Sequence, residues 1–257
     1  MSGAWARIIA AYPPEKRRWD RTYPWIYYGA RPLSFPLTWL ALRLRLSPNQ
    51  VTLLSFVSGL GAFALMVGGG GGLVAGSCLF ALLNILDCVD GNLARMRKEE
   101  SPVGRFYDQA VGLVFYLVYV ALGAGLYRTP DESLSLILAP LGVEKPEPVA
   151  YLLVGLAGSL ARYLGFHLQY LFHSVLGPSW EEKKAEEHLP GPTAHWSYRL
   201  YYNVIDVQAQ DPVLIAAAAT GLAGLFLAAS AVVQVLNLLF LAAYYLRRAH
   251  ALGLRAR

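Results

Sequence analysis

The chain has 257 residues, of which 56% are hydrophobic and only 15% charged, and its mean hydropathy is +0.39. Soluble domains average about 25% charged residues, so this composition excludes intrinsic disorder and a single water-surrounded core; the bilayer is the solvent for most of the chain. A formal charge of +5 and a pI near 9.2 raise the question of nucleic acid. No basic patch with interleaved aromatics supports it, and basic residues in membrane chains ordinarily fix orientation.

Residues 1–46 read as a cytoplasmic, interfacial arm. The opening stretch is rich in Pro, Arg and Tyr and lacks the apolar centre of a signal peptide. From Trp25 to Leu46, aromatics, prolines and leucines alternate, too interrupted to span. An amphipathic helix in the interface is expected, with Arg43 and Arg45 meeting anionic head groups.

A spanning helix needs about 20 mostly apolar residues. Six candidates follow, at approximately 51–67, 73–94, 104–127, 148–176, 212–230 and 232–247. Ser47, Pro48 and Asn49 mark the start of the first, and the glycines from Gly68 to Gly72 close it. The last two are expected to form a hairpin around Ser230 to Gln234. The expected fold is thus all-α and integral to the membrane, with six transmembrane helices in residues 47–247 and a basic tail at 248–257. Cys78 and Cys88 lie in one apolar run and cannot bridge within a helix. This map puts all but Arg128, Lys145 and Arg162 of the 22 Lys and Arg residues on one side, which makes both termini cytoplasmic.

Charged side chains at membrane depth are costly and mark function. Asp87 and Asp90 end the second span and Asp108 opens the third. Residues 87, 90, 91 and 94 share a helical face, which sets two carboxylates beside the small residues Gly91 and Ala94. Three converging carboxylates repel unless a cation neutralises them, and oxygen-only ligation suits Mg²⁺ or Mn²⁺. A metal so held beside a membrane points to phosphoryl transfer on a lipid-linked diphosphate.

These residues carry a family resemblance. Asp87, Asp90, Gly91, Ala94, Arg95, Gly104 and Asp108 match the pattern Asp-x2-Asp-Gly-x2-Ala-Arg-x8-Gly-x3-Asp-x3-Asp of the CDP-alcohol phosphotransferases. Ser47-Pro48-Asn49 followed by Thr52 also resembles the start of that family's first span. The resemblance covers about 45–247. It implies that a CDP-linked donor such as CDP-diacylglycerol gives its phosphoryl-linked group to an alcohol with release of CMP. It also implies that Asp87, Asp90 and Asp108 hold metal and diphosphate, that Gly91, Ala94, Arg95 and Gly104 help form the nucleotide site, and that the protein is a homodimer.

The last position of the pattern departs from the family: Gly112 stands where the resemblance expects the aspartate that deprotonates the alcohol. Either another group substitutes, with Tyr116, Asp206 and Asp211 as candidates, or the chain binds CDP-lipid without efficient turnover or supports a partner, or Gly112 is an introduced change made to trap a complex. Tyr116 is more readily an aromatic packed between spans, and Asp206 and Asp211 read as solvated loop acids. Arg162, inside the fourth span, is expected either to meet an acceptor phosphate with Arg105 nearby or to be paired with a carboxylate. His167, His173, His188 and His195 lack helical metal-site spacing. A transporter is disfavoured because the charged cluster lies at one end of the bundle, whereas transport sites lie near the midplane.

Overall fold

A computed structural model describes residues 2–99, 101–142, 145–175 and 196–255. The described chain is helical throughout, and the protein is an all-α membrane protein. The arm contributes α1 (Ser2–Ala10), α2 (Pro14–Asp20) and α3 (Arg31–Arg43), the last entered through a wide π-turn at Ile26–Ala30. The bundle follows with α4 (Pro48–Gly68) and α5 (Gly71–Arg97). Next come α6 (Pro102–Gly112), α7 (Val118–Arg128) and α8 (Pro148–Val175). It ends in α9 (Trp196–Ile205), α10 (Asp211–Thr220) and α11 (Ala223–Arg255).

Among the described residues, α4, α5, the α6–α7 run, α8 and α11 are the five stretches long and apolar enough to cross a bilayer. α4 begins as its sequence dictates. Ser47 Oγ accepts the Gln50 N–H at 3.2 Å while Gln50 Oε1 accepts the Ser47 N–H at 2.8 Å, a reciprocal capping box. The third span is interrupted: a 3₁₀ turn at Leu113–Tyr116 separates α6 from α7. Beyond the turn, the Val120 N–H is taken up by Ser159 Oγ of α8 at 3.0 Å, as a backbone donor in hydrocarbon must be.

The expected break at Ser230 to Gln234 is not there. Those residues lie inside α11, which runs 33 residues without interruption and continues past residue 248. The chain reverses at Gly221, whose φ of +73° ends α10 while the Leu222 N–H returns to the Ala217 carbonyl at 2.8 Å. A left-handed glycine with this return bond is a strong helix stop. The segment expected to be the fifth span is therefore divided between α10, whose ten residues make about 15 Å of helix, half the hydrocarbon thickness, and the first two turns of α11. α9 precedes it, and the two are separated by Asp206 and a 3₁₀ turn at Val207–Gln210. α9 runs antiparallel to α11: Tyr201 donates to Asn237 at 2.9 Å and Gln234 donates to the Ile205 carbonyl at 2.8 Å.

The core lies where α4, α5, α7 and α10 meet α11, around Met66, Phe80, Leu83, Tyr119, Leu122 and Leu227. α7 and α8 cross at Gly123 and Gly155. A Cβ on Gly123 would stand 2.5 Å from the Tyr151 carbonyl oxygen, and one on Gly155 would stand 2.4 Å from that of Tyr119. Small residues thus let these backbones touch, the usual basis of helix association in lipid.

The arm departs from its expected role in one respect. The polar residues of α3 turn into the protein rather than toward head groups: Ser34 and Thr38 are fully buried and Arg31 is 4% exposed. Asn92 of α5 donates to Ser34 Oγ and Thr38 Oγ1, each at 3.2 Å. Leu33, Leu40 and Leu44 face outward. Arg31 Nε donates to Asp20 at 2.9 Å, and the Tyr12 hydroxyl donates to the same carboxylate at 3.0 Å. Burial, then the Asp20 charge, push the Tyr12 hydroxyl well above the ordinary phenol range, so it stays a donor.

Candidate active site

Asp87 and Asp90 project from one face near the end of α5, and Asp108 comes from α6, which the Ser101 cap starts by accepting the Gly104 N–H at 3.0 Å. One carboxylate oxygen from each aspartate lies within 4.8 Å of the others. Asp90 is buried, Asp87 half-buried and Asp108 exposed, so the cluster is graded from protein toward opening. Asp90 Oδ2 accepts the Thr52 hydroxyl from α4 at 2.7 Å. This donor fixes the carboxylate without neutralising it.

The cluster borders a cavity of about 480 Å³ whose wall includes Gly91, Ala94, Arg95 and Gly104. Every residue expected from the motif through Asp108 therefore meets in one place. Two roles differ from expectation. The space over Gly91 is taken by the Arg95 guanidinium, whose Nη1 would stand 3.3 Å from a Cβ there. Arg95 in turn is bound to the arm: Nε donates to the Ala11 carbonyl at 2.9 Å and Nη2 to Asn92 at 3.0 Å. Gly91 thus admits its own i+4 neighbour.

Gly112 ends α6, and a Cβ placed on it meets nothing within 4 Å. None of the three suggested substitutes lines the cavity. Tyr116 packs against Tyr163 and Phe166 with Arg162 over its ring at 5.7 Å. Asp206 caps the 3₁₀ turn by accepting the Gln208 N–H at 3.1 Å and lies 3.7 Å from Arg162. Asp211 is not a solvated loop acid. It is fully buried, and its Oδ2 accepts the Asn84 amide at 2.7 Å and the Trp25 indole at 2.9 Å. Arg162 also stands apart from the cavity, donating to the Ile205 carbonyl at 2.7 Å. It closes the break after α9, where an exposed carbonyl and a carboxylate both want a cation. The Arg105 side chain, His188 and His195 lie outside the described residues; His167 stacks on Tyr163, and His173 lies 3.5 Å from the Tyr245 hydroxyl.

Sequence reasoning missed Glu99 and Lys16, both on the cavity wall. Glu99 follows the left-handed Lys98 that ends α5, and Lys16 comes from the arm. A second cavity, about 870 Å³ and almost wholly apolar, adjoins the first and shares Asn49 and Thr52 with it. It runs between α4, the interrupted third span and α8, lined by Phe56, Leu60, Val114, Leu117, Leu156 and Tyr163 among others.

Residues 45–166, a little under half of the chain, match the family model described as CDP-alcohol phosphatidyltransferase. A stretch of 84 residues is 43% identical to the bifunctional IPC transferase and DIPP synthase of Rubrobacter xylanophilus. That stretch covers 31% of this chain and 19% of the relative, so the chain matches less than a fifth of that protein's length. The three carboxylates and the surrounding oxygen donors fit a divalent cation, the class of ion on which this family's chemistry depends.

Proposed function

We infer that the protein transfers a phosphatidyl or related CDP-linked phosphoryl group from a CDP-linked lipid, best CDP-diacylglycerol, to an alcohol, releasing CMP. The observation that carries the lipid reading is the apolar cavity adjoining the carboxylates through Asn49 and Thr52. A donor whose diphosphate lies at the aspartates then has an apolar space at membrane depth for its chains. A water-soluble donor would leave that surface unfilled.

Asp87, Asp90 and Asp108 would hold Mg²⁺ or Mn²⁺. Such an ion offsets the charge of the diphosphate and of the departing CMP. Thr52 keeps the Asp90 carboxylate turned inward, and the arm fixes Arg95 beside it. The alcohol oxygen forms a bond to the lipid-side phosphorus. The phosphoanhydride bond from that phosphorus to the CMP oxygen breaks, and the electron pair leaves with CMP. The alcohol proton passes to Glu99, the remaining described carboxylate on the wall. The density of basic residues on the arm and at the end of α5 supports a cytoplasmic cavity and cytoplasmic termini.

Gly112 favours a second reading, a chain that binds CDP-lipid but turns over slowly. The empty space beside it makes the test direct. CMP release from CDP-diacylglycerol with Mn²⁺ and candidate alcohols is measured in the chain with Gly112 and in Gly112→Asp. Activity in both supports the transferase. Activity only in the variant supports the binding protein. Silence in both removes the transferase reading.

A further inference from the structure

The cavity that the carboxylates line also carries three described cations: Lys16 and Arg31 from the arm, and Arg95 from α5. Arg31 is committed to Asp20, the Asn92 amide oxygen and, at 3.5 Å, the Cys88 carbonyl. Arg95 is committed to Ala11 and Asn92. Lys16 differs. Its ammonium lies 3.4 Å from Asp20 Oδ1, one turn along α2, and an ammonium carries three donors.

Lys16 is also held in place. Asp20, which anchors it, is 1% exposed and receives Tyr12 and Arg31 on its other oxygen. Arg31 bonds Asn92, two residues beyond Asp90 on the motif helix. The run Lys16, Asp20, Arg31, Asn92 ties the ammonium to the helix that carries the aspartates.

We propose that Lys16, on the arm and outside the family-matched segment, binds the anionic phosphoryl oxygens of the donor diphosphate in the cavity that the carboxylates also line. This rests on the CDP-linked donor reading. The arm then completes the site, and a core begun at residue 45 lacks one of its phosphate contacts. A lysine acting only as a counter-charge for the aspartates makes the opposite prediction: its loss would tighten metal binding and leave nucleotide binding no weaker.

The test uses the full chain in lipid nanodiscs. Mn²⁺ binding is read by electron paramagnetic resonance, and CDP binding by calorimetry at saturating Mn²⁺. Loss of a charge-assisted hydrogen bond predicts that Lys16→Met weakens CDP roughly tenfold or more, with Mn²⁺ binding and melting temperature unchanged. Lys16→Arg is expected to retain CDP within about threefold, since the phosphate contact survives. Unchanged CDP affinity in Lys16→Met overturns the proposal, as does a loss of CDP accompanied by an equal loss of Mn²⁺ or of folding. An unsubstituted chain that binds Mn²⁺ but not CDP overturns the donor reading, and the role of Lys16 with it.

Discussion

Two groups of acids sit in this bundle, and they are treated differently. In the carboxy-terminal half, Asp206 is paired with Arg162 and caps a turn, and Asp211 receives an indole and an amide on one oxygen. At the end of α5, one oxygen each of Asp87, Asp90 and Asp108 lies within 4.8 Å of the others, and Thr52 donates its hydroxyl to Asp90. Asp206 and Asp211 take partners from the chain and stand at breaks in its helices, although one Asp211 oxygen is buried without a hydrogen-bond partner. The acids that face one another over the cavity could hold a metal ion. The same contrast separates Arg162, spent on the Ile205 carbonyl, from Lys16, which faces the cavity.

The sharpest break of this comparison is replacement within the open cluster. Asp87→Asn or Asp108→Asn is expected to abolish metal-dependent CDP binding. Neither should lower the melting temperature, because removing one of three facing like charges relieves repulsion. Calorimetry and thermal unfolding check the two halves. Next is the proton acceptor. Gly112→Asp is expected to raise CMP release about 10²–10⁴-fold, and Glu99→Gln in the chain with Gly112 to lower it by a similar factor, the usual range for a general base; steady-state CMP assays at fixed metal decide both.

The satisfied acids predict the reverse pattern. Arg31→Met leaves the Asp20 carboxylate buried without its closest cation, and breaking such a buried pair costs about 3–5 kcal/mol. A clear drop in melting temperature follows. Arg162→Ala also destabilises, by less because that pair is partly exposed, and leaves CDP affinity intact. A raised acceptor KM with unchanged stability would instead give Arg162 the acceptor role that its position in the sequence suggests. The smallest effect belongs to Gly221→Ala, which forces an L side chain to φ +73° at a cost of about 1 kcal/mol.

The acid site was legible because its signal is local. Asp87, Asp90, Gly91 and Ala94 share a face by helical period, and the Ser47 capping box is written in four consecutive residues. What escaped depends on distant partners or on backbone geometry. Arg95 is held by Ala11, 84 residues away, and Trp25 reaches Asp211 across 186. Hydropathy saw apolar residues from 212 to 230 and had no means of weighing one glycine, so it placed the reversal at the polar pair Ser230 and Gln234. Both are buried within α11, and Gln234 bonds the Ile205 carbonyl. Arg31, at the start of α3, turns inward because Asp20 and Asn92 await it there, whereas Arg43 and Arg45 are exposed.

The most direct test of the central claim is CMP release from CDP-diacylglycerol by the full chain in nanodiscs, with Mg²⁺ or Mn²⁺ against a chelator, beside Gly112→Asp. The account predicts CMP only when metal is present, formed slowly by the chain with Gly112 and faster by the variant. No CMP from either protein with metal supplied would contradict it.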